Sequence, residues 1–407
     1  MASTTRAELD GQLTSPAFYA DPYPFYHRLR ETDPVHWSDA NGGWMLTRYD
    51  DVLATVRDHR RFSSRGRFQA ALERIPADVR ARVRSLEDHY QVGLIASDPP
   101  DHTRMRGLVN MAFTPRIVEQ LRPRVQVLVD ELLDAVQDRG EMDVIRDLAY
   151  PLPATVIAEL FGAPAQDRDR FKAWSGGILA FQGTGNPAPE VIEGSQRDLL
   201  EMRAFLSDLA EERRRSPRDD LLSRLVAAEG DKLSEAELLT TCVTLLTAGH
   251  ETTTNLIGNG LFTLLRTPDQ LRLLRANPEL MPTAVEEMLR YESPLQRNPR
   301  CVTEDVELGG KRLRRGDYVM QVLGAANRDS DQFPDPDRFD ITRHPNRHVA
   351  FGFGIHFCIG APLARLEAPV AIGAILRRMP RLRLVADAVR WQEHGLLRGL
   401  TSLPAIF

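Results

Sequence analysis

Ten residues, Phe351-Gly-Phe-Gly-Ile-His-Phe-Cys-Ile-Gly360, restrict what this chain can become more than any other stretch. Three glycines permit a tight backbone path close to a bulky group. Aromatic residues shield that path, and Cys358 stands just before the helical run Ala361-Pro-Leu-Ala-Arg-Leu-Glu367. Backbone amides and the dipole at a helix amino terminus favour a thiolate over a thiol. Taken alone, such a sulfur reads as a nucleophile, a redox thiol or a metal ligand, or as a free cysteine buried in a glycine-rich turn. Structural zinc is disfavoured, because Cys358 and His356 supply only part of a four-ligand set.

The other two cysteines, Cys242 and Cys301, are too few to build a disulfide framework. With 52 Lys+Arg against 57 Asp+Glu the net charge is −5, which argues against binding a nucleic-acid backbone. No apolar stretch approaches the ~18–20 residues needed to cross a bilayer. Residues 1–10 lack the apolar core of a signal peptide, so a cytoplasmic location is expected.

Asp33–Ser38 and Gly43–Tyr49 read as two short strands around an Asn41-Gly42 turn. Residues 63–88 read as a loop with short helical pieces. Asp98 suits an N-cap ahead of Pro99-Pro100 and Asp101. From there to about Ala228 the pattern is helical, as in the three- and four-residue spacing of Val125, Leu128, Leu132 and Val136. Gly176-Gly177 and the run Gly183–Pro189 read as interruptions. Ser234-Glu-Ala-Glu237 resembles a capping box at the head of a helix running towards Arg266. A further helix spans about 282–291, strands fall near 300–306 and 318–323, and 327–357 is a long aperiodic loop. The expected fold is mainly α with small β-sheets in a single domain, 1–407. Its α-rich part covers about 98–295, and its β-rich parts about 33–60, 300–325 and 380–407.

Phe351–Gly360 resembles the haem-binding signature of the cytochrome P-450 family, Phe-Gly-x-Gly-x-His/Arg-x-Cys-x-Gly, at every fixed position. Leu246-Thr-Ala-Gly-His-Glu-Thr-Thr-Thr254 is similar to the family's Ala-Gly-x-Glu/Asp-Thr segment. Glu287-Met-Leu-Arg290 matches Glu-x-x-Arg, and Phe333-Pro-Asp-Pro-Asp-Arg-Phe339 resembles the Pro-Glu-Arg-Phe segment, with Asp337 in place of Glu. His102 and Arg106 match a His-x-x-x-Arg pair. The resemblance, to the soluble bacterial type, extends from Asp21 to Pro404. It implies the cytochrome P-450 fold, with haem held between a long distal helix and the cysteine loop and its helix.

The resemblance also implies roles. Cys358 becomes the axial thiolate of a haem b, with Phe351, Gly360 and Ala248 against the cofactor. His102, Arg106, Arg300 and His356 become contacts to its propionates. Glu251 and Thr252 become the acid and alcohol that deliver protons. Glu287, Arg290 and Arg338 become a structural triad. Gly249 removes a side chain from the helix where a small ligand would sit. Segments 64–97, 174–190, 294–299 and 396–401 line the substrate space, with Leu94, Ile95, Phe181, Leu245, Ala248 and Leu397 as apolar contacts. Glu119/Arg122, Glu211/Arg214 and Glu212/Arg215 share the triad's i, i+3 spacing but read as surface pairs.

The function so implied is a monomeric monooxygenase that inserts one oxygen atom of O2 into a hydrophobic small molecule. Residues 1–407 are too few for a haem domain plus a flavin reductase and carry no dinucleotide fingerprint. Electrons are therefore expected from a separate ferredoxin and ferredoxin reductase fed by NAD(P)H, with Arg104, Arg347 and Arg365 as docking candidates. The alternatives are a peroxide-driven peroxygenase and a non-enzymatic haem or ligand-binding protein. Retention of Glu251 and Thr252 argues against both.

Overall fold

In the computed structural model Ser234 and Glu237 satisfy each other's backbone amides, at 3.2 and 2.8 Å. They thereby start the longest helix, of 31 residues. The structure describes residues 6–13, 15–68, 72–73, 75–183, 187–230, 232–385 and 389–407. Eight helices frame the site: α1 (Asp101–Asn110), α2 (Arg122–Gln137), α3 (Pro151–Phe161), α4 (Arg168–Gly183), α5 (Pro189–Arg215), α6 (Glu235–Leu265), α7 (Met281–Tyr291) and α8 (Ala361–Arg378). α6 runs through their centre and packs against α3, α4, α5, α7 and α8. Leu256, Ile257, Leu261 and Leu264 on α6, Val129 and Leu133 on α2, and Ile372 and Ile375 on α8 belong to one buried core. Full burial of such side chains stabilises by roughly 1.5–3 kcal/mol each.

The strands are peripheral. β1 (Val35–Ser38) and β2 (Gly43–Leu46) form a hairpin, joined by β3 (Phe62–Ser63), β4 (Arg297–Val302) and β5 (Tyr318–Val322) in the order β1-β2-β5-β4-β3. Near the carboxy terminus β6 (Arg390–Trp391) pairs antiparallel with β7 (Leu400–Ser402). Among the described residues no helix is long and apolar enough to cross a membrane.

Four local expectations change. Asp98 is no N-cap: α1 begins at Asp101, and the Asp98 carboxylate turns back to accept the Ser63 hydroxyl and, at 3.1 Å, the Ser64 amide. Gly176 and Gly177 do not interrupt α4. A side chain at Gly177 would collide with Asp198 on α5, so the residue permits close helix packing. Of the run Gly183–Pro189, residues 184–186 lie outside those described, as do 69–71 and 74 of segment 64–97 and 386–388 of the carboxy-terminal β region. The second strand ends at Leu46, and residues 49–57 of the supposed β region form a helix with Asp50 and Asp51 in its first turn. The strand expected near 300–306 divides into β4 and a separate hairpin, Val306–Leu308 with Lys311–Leu313.

Glu367, on α8, is buried, and among the described residues neither of its carboxylate oxygens is hydrogen-bonded. Burial pushes its pKa up to about 8. A carboxyl raised above its unfolded value contributes stability that is complete below about pH 4.3 and lost as pH climbs towards 8, at ~1.4 kcal/mol per unit. Glu367→Gln removes that titration. In urea denaturation the variant should gain on the order of 4–5 kcal/mol over the parent at pH 8, with the gap shrinking to about 1 kcal/mol by pH 5. Parallel stability curves would contradict the assignment.

Candidate active site

The cysteine loop is held by its own backbone. Gly352 N donates to Val349 O at 2.8 Å, Phe357 N to Gly354 O at 3.0 Å, and Cys358 N to Phe351 O at 2.9 Å. Gly352 and Gly354 have φ of 68° and 70°, a left-handed conformation that side-chain-bearing residues rarely adopt. Arg106 reaches over from α1 and donates to the carbonyls of Ile355 (3.2 Å) and Phe357 (2.6 Å). The Cys358 thiol is accessible, yet surrounding protein raises its pKa, opposed by the Gly360 amide, Arg106 and the Ala361 amide. A sulfur both accessible and enclosed by protein faces an internal space.

α6 also has an accessible stretch. It is buried along most of its length, but Ala248 is exposed and Thr244, Gly249, Glu251 and Thr252 are partly so. The Thr252 hydroxyl donates to the Ala248 carbonyl at 3.1 Å, four residues back. Gly249 serves packing, in contrast to the expectation: a Cβ there would stand 2.7 Å from Ile157 Cγ1 on α3. Glu251 Oε1 accepts from Gln392 Nε2 at 3.1 Å.

A cluster of cations and imidazoles lies beside the loop. The His102 and His356 rings sit 4.3 Å apart, and His356 Nε2 meets the Ser64 hydroxyl at 2.8 Å. Burial, then Arg106, pushes His102 down to about 4, and burial with Arg300 and His102 pushes His356 well down. Arg300 is buried and lowered to about 9 by burial and by Arg67. Arg67, which the motifs did not mark, is lowered to about 10, chiefly by burial. Arg67 and Arg300 share the neutral Asn298 Oδ1, each at 3.0 Å. Among the described residues Asp98 is the carboxylate acting on both Arg300 and His102, and it is already bonded to Ser63 and Ser64. Among the described residues His102 Nε2 and Arg67 Nε have no hydrogen-bond partner. Buried donors left without acceptors beside an excess of cations suit an anionic group, carboxylates above all.

The supporting loop holds a correction. Glu287 and Arg290 are fully buried and paired through two bonds of 2.8 Å. Arg343, not Arg338, brings the next guanidinium, its Nε 3.3 Å from Glu287, and Asn346 adds a bond of 3.0 Å. The Arg338 side chain is 65% exposed and faces Asp340; only its backbone carbonyl accepts from Arg290. Two docking candidates are also engaged: Arg104 with Glu237 and Asp101, and Arg365 bidentate with Glu286. Arg347 is exposed. Of the surface pairs, Glu119/Arg122 and Glu211/Arg214 form, whereas Glu212 pairs with Arg213 and Arg218.

Among the apolar candidates Leu94, Leu245 and Leu397 are buried, and Ile95 is partly buried. Phe181 is fully buried and stacks on Tyr90 at 5.2 Å. Leu397 bridges to Leu295.

Residues 72–381 match the family model described as Cytochrome P450. The chain belongs to the cytochrome P450 family. Cytochrome P450 107B1 of Saccharopolyspora erythraea is 45% identical over 400 residues, 95% of each chain. The 6-deoxyerythronolide B hydroxylase of the same organism is 42% identical over 406 residues, 96% of this chain and 97% of that one. A solved myxobacterial cytochrome P450 in complex with myristic acid superposes with a TM-score of 0.88 at 42% identity, covering 97% and 98% of the two chains. The protein is thus a haem-thiolate monooxygenase that acts on a small molecule with O2 and redox partners. Its unpartnered donors and its accessible cysteine fit the family's haem cofactor.

Proposed function

We propose that residues 1–407 form one haem domain, with Cys358 as axial ligand of a b-type haem and with Phe351, Gly360 and Ala248 against its faces. Arg106, His102, Arg300, His356 and, in addition, Arg67 would hold its carboxylates. Bound there, haem supplies the activation of O2, and a thiolate ligand donates the electron density that favours O–O cleavage.

The chain's own residues organise the protons. The accessible face of α6 carries the reading, because Thr252 and Glu251 are the partly exposed polar groups of the turn that begins at the exposed Ala248. Thr252, while donating to Ala248, keeps oxygen lone pairs to order a water. Glu251 passes protons from solvent towards Thr252. Gly352 and Gly354 shape the loop that keeps Cys358 in place, and the aromatic side chains of 351, 353 and 357 limit water around the sulfur.

The substrate is a hydrophobic molecule of the terpenoid, steroid, fatty-acid or polyketide type, held by Leu94, Ile95, Phe181, Leu245, Ala248 and Leu397. The relative that hydroxylates 6-deoxyerythronolide B and the one bound to myristic acid support that class. Electrons reach the site from a ferredoxin and its reductase, and the cytoplasm is the compartment.

Thr252→Ala should lower the fraction of electrons that end in product by roughly tenfold, with the remainder released as peroxide, and Glu251→Gln should lower kcat by about a hundredfold. Both are measured on the compound that most strongly shifts the ferric spectrum in a panel of terpenoids, steroids, fatty acids and macrolides. Unchanged coupling in Thr252→Ala would refute its role.

A further inference from the structure

The hairpin of β6 and β7 carries a loop, residues 392–399, that touches both α6 and α4. Gln392 Nε2 donates to Glu251 Oε1 at 3.1 Å. His394 Nδ1 accepts the amides of Leu396 and Leu397, at 3.2 and 3.0 Å. Its proton therefore sits on Nε2, which donates to the Leu179 carbonyl of α4 at 3.1 Å. Gln392 N closes the loop on Gly399 O at 2.9 Å. A Cβ at Gly399 would stand 2.0 Å from the Asn255 amide oxygen, so the hairpin lies directly on α6 about one turn beyond Thr252.

We propose that Gln392 is a positioning residue for Glu251, holding one carboxylate oxygen so that the other carries the proton; this rests on the reading of Glu251 as proton carrier. A primary amide suits that task. Its NH2 donates to Oε1 both when the acid is ionised and when it is protonated on its other oxygen, Oε2. An arginine or lysine at this place would bind only the ionised form and hold it there. The charged and titratable groups around Glu251 are His250 on its own helix, Tyr150 before α3 with Lys172 of α4 over its ring, and His394 with Arg297 near it. Among the described residues none of these groups hydrogen-bonds Glu251, and the direct contact falls to Gln392. The same loop grips α4 through His394, so the acid's position is tied to the helix that covers the substrate side.

The test uses the haem-loaded protein with a surrogate ferredoxin and reductase, NADPH, and myristic acid as probe. It reads the NADPH oxidation rate, the share of electrons released as peroxide, the solvent isotope effect, the pH profile and the Kd of myristic acid. The first three are defined whether or not the fatty acid is converted. Gln392→Leu should slow oxidation about fivefold, raise the peroxide share and the isotope effect, and leave Kd within about twofold. Gln392→Glu should move the acid limb of the pH profile upward by about one unit, because two carboxylates at that distance retain a proton between them. A merely structural role would not move that limb. Wild-type rate and isotope effect in Gln392→Leu would overturn the proposal, as would a matching loss of affinity and Tm in Gln392→Leu and His394→Ala. If Glu251→Gln leaves the isotope effect unchanged, the reading of Glu251 fails. If Glu251→Gln changes it and Gln392→Leu does not, only the positioning role fails.

Discussion

Cys358→Ala should abolish monooxygenase turnover and the red-shifted Soret band of the reduced CO complex while leaving a folded chain. Neither remaining cysteine can substitute. Cys242 is fully buried on α6 with its pKa driven far up by burial, and Cys301 is partly buried in β4. The loop does not depend on sulfur for its shape, since the bonds at Val349, Phe351 and Gly354 are all backbone to backbone and Arg106 grips two loop carbonyls. The cationic cluster around His102, Arg300 and Arg67 is equally untouched, so the variant should still retain haem to a measurable degree. Far-ultraviolet circular dichroism matching the parent, together with an absent band, separates loss of the ligand from loss of the fold. A variant that keeps the band would refute Cys358 as the ligand, because the red shift reports the thiolate.

What the sequence made legible is local in the chain. The capping box at Ser234 and Glu237, the Thr252 bond to a carbonyl four residues back, and the glycines that bend the cysteine loop each depend on neighbours within a few positions. The pairing of Glu287 with Arg290 is also one turn of helix. What escaped depends on partners far along the chain. Arg67 joins Arg300 only because β3 pairs with β4, 231 residues separating Arg67 from Asn298. Gln392 meets Glu251 across 141 residues. Gly177 and Gly249 read as a break and as an opening, yet each is small because another helix occupies the space. Asp98 looked like a cap because its sequence neighbours suit one, while Ser63 and Ser64 compete for its carboxylate.

The same distinction sets the second large effect, at Glu287. Its carboxylate is wholly buried and receives Arg290, Arg343, Asn346 and the Asp340 amide. Glu287→Ala leaves the buried Arg290 guanidinium and the partly buried Arg343 guanidinium without their counter-charge, which should cost about 3–5 kcal/mol. Against a typical stability of 5–15 kcal/mol, that loss is large enough to cut the yield of folded protein. Arg290 also donates to the carbonyls of Asn327, Pro336 and Arg338, so freeing it loosens the long segment that leads into the cysteine loop. Arg338→Ala removes a largely exposed side chain and should change stability by less than about 0.5 kcal/mol. Arg343→Ala removes a direct partner of Glu287 and should fall between the two. Chemical denaturation of the three variants checks the ranking. An Arg338→Ala loss equal to that of Arg343→Ala would restore the triad first read from the sequence, whereas the expected order makes Arg343 the side chain that completes it.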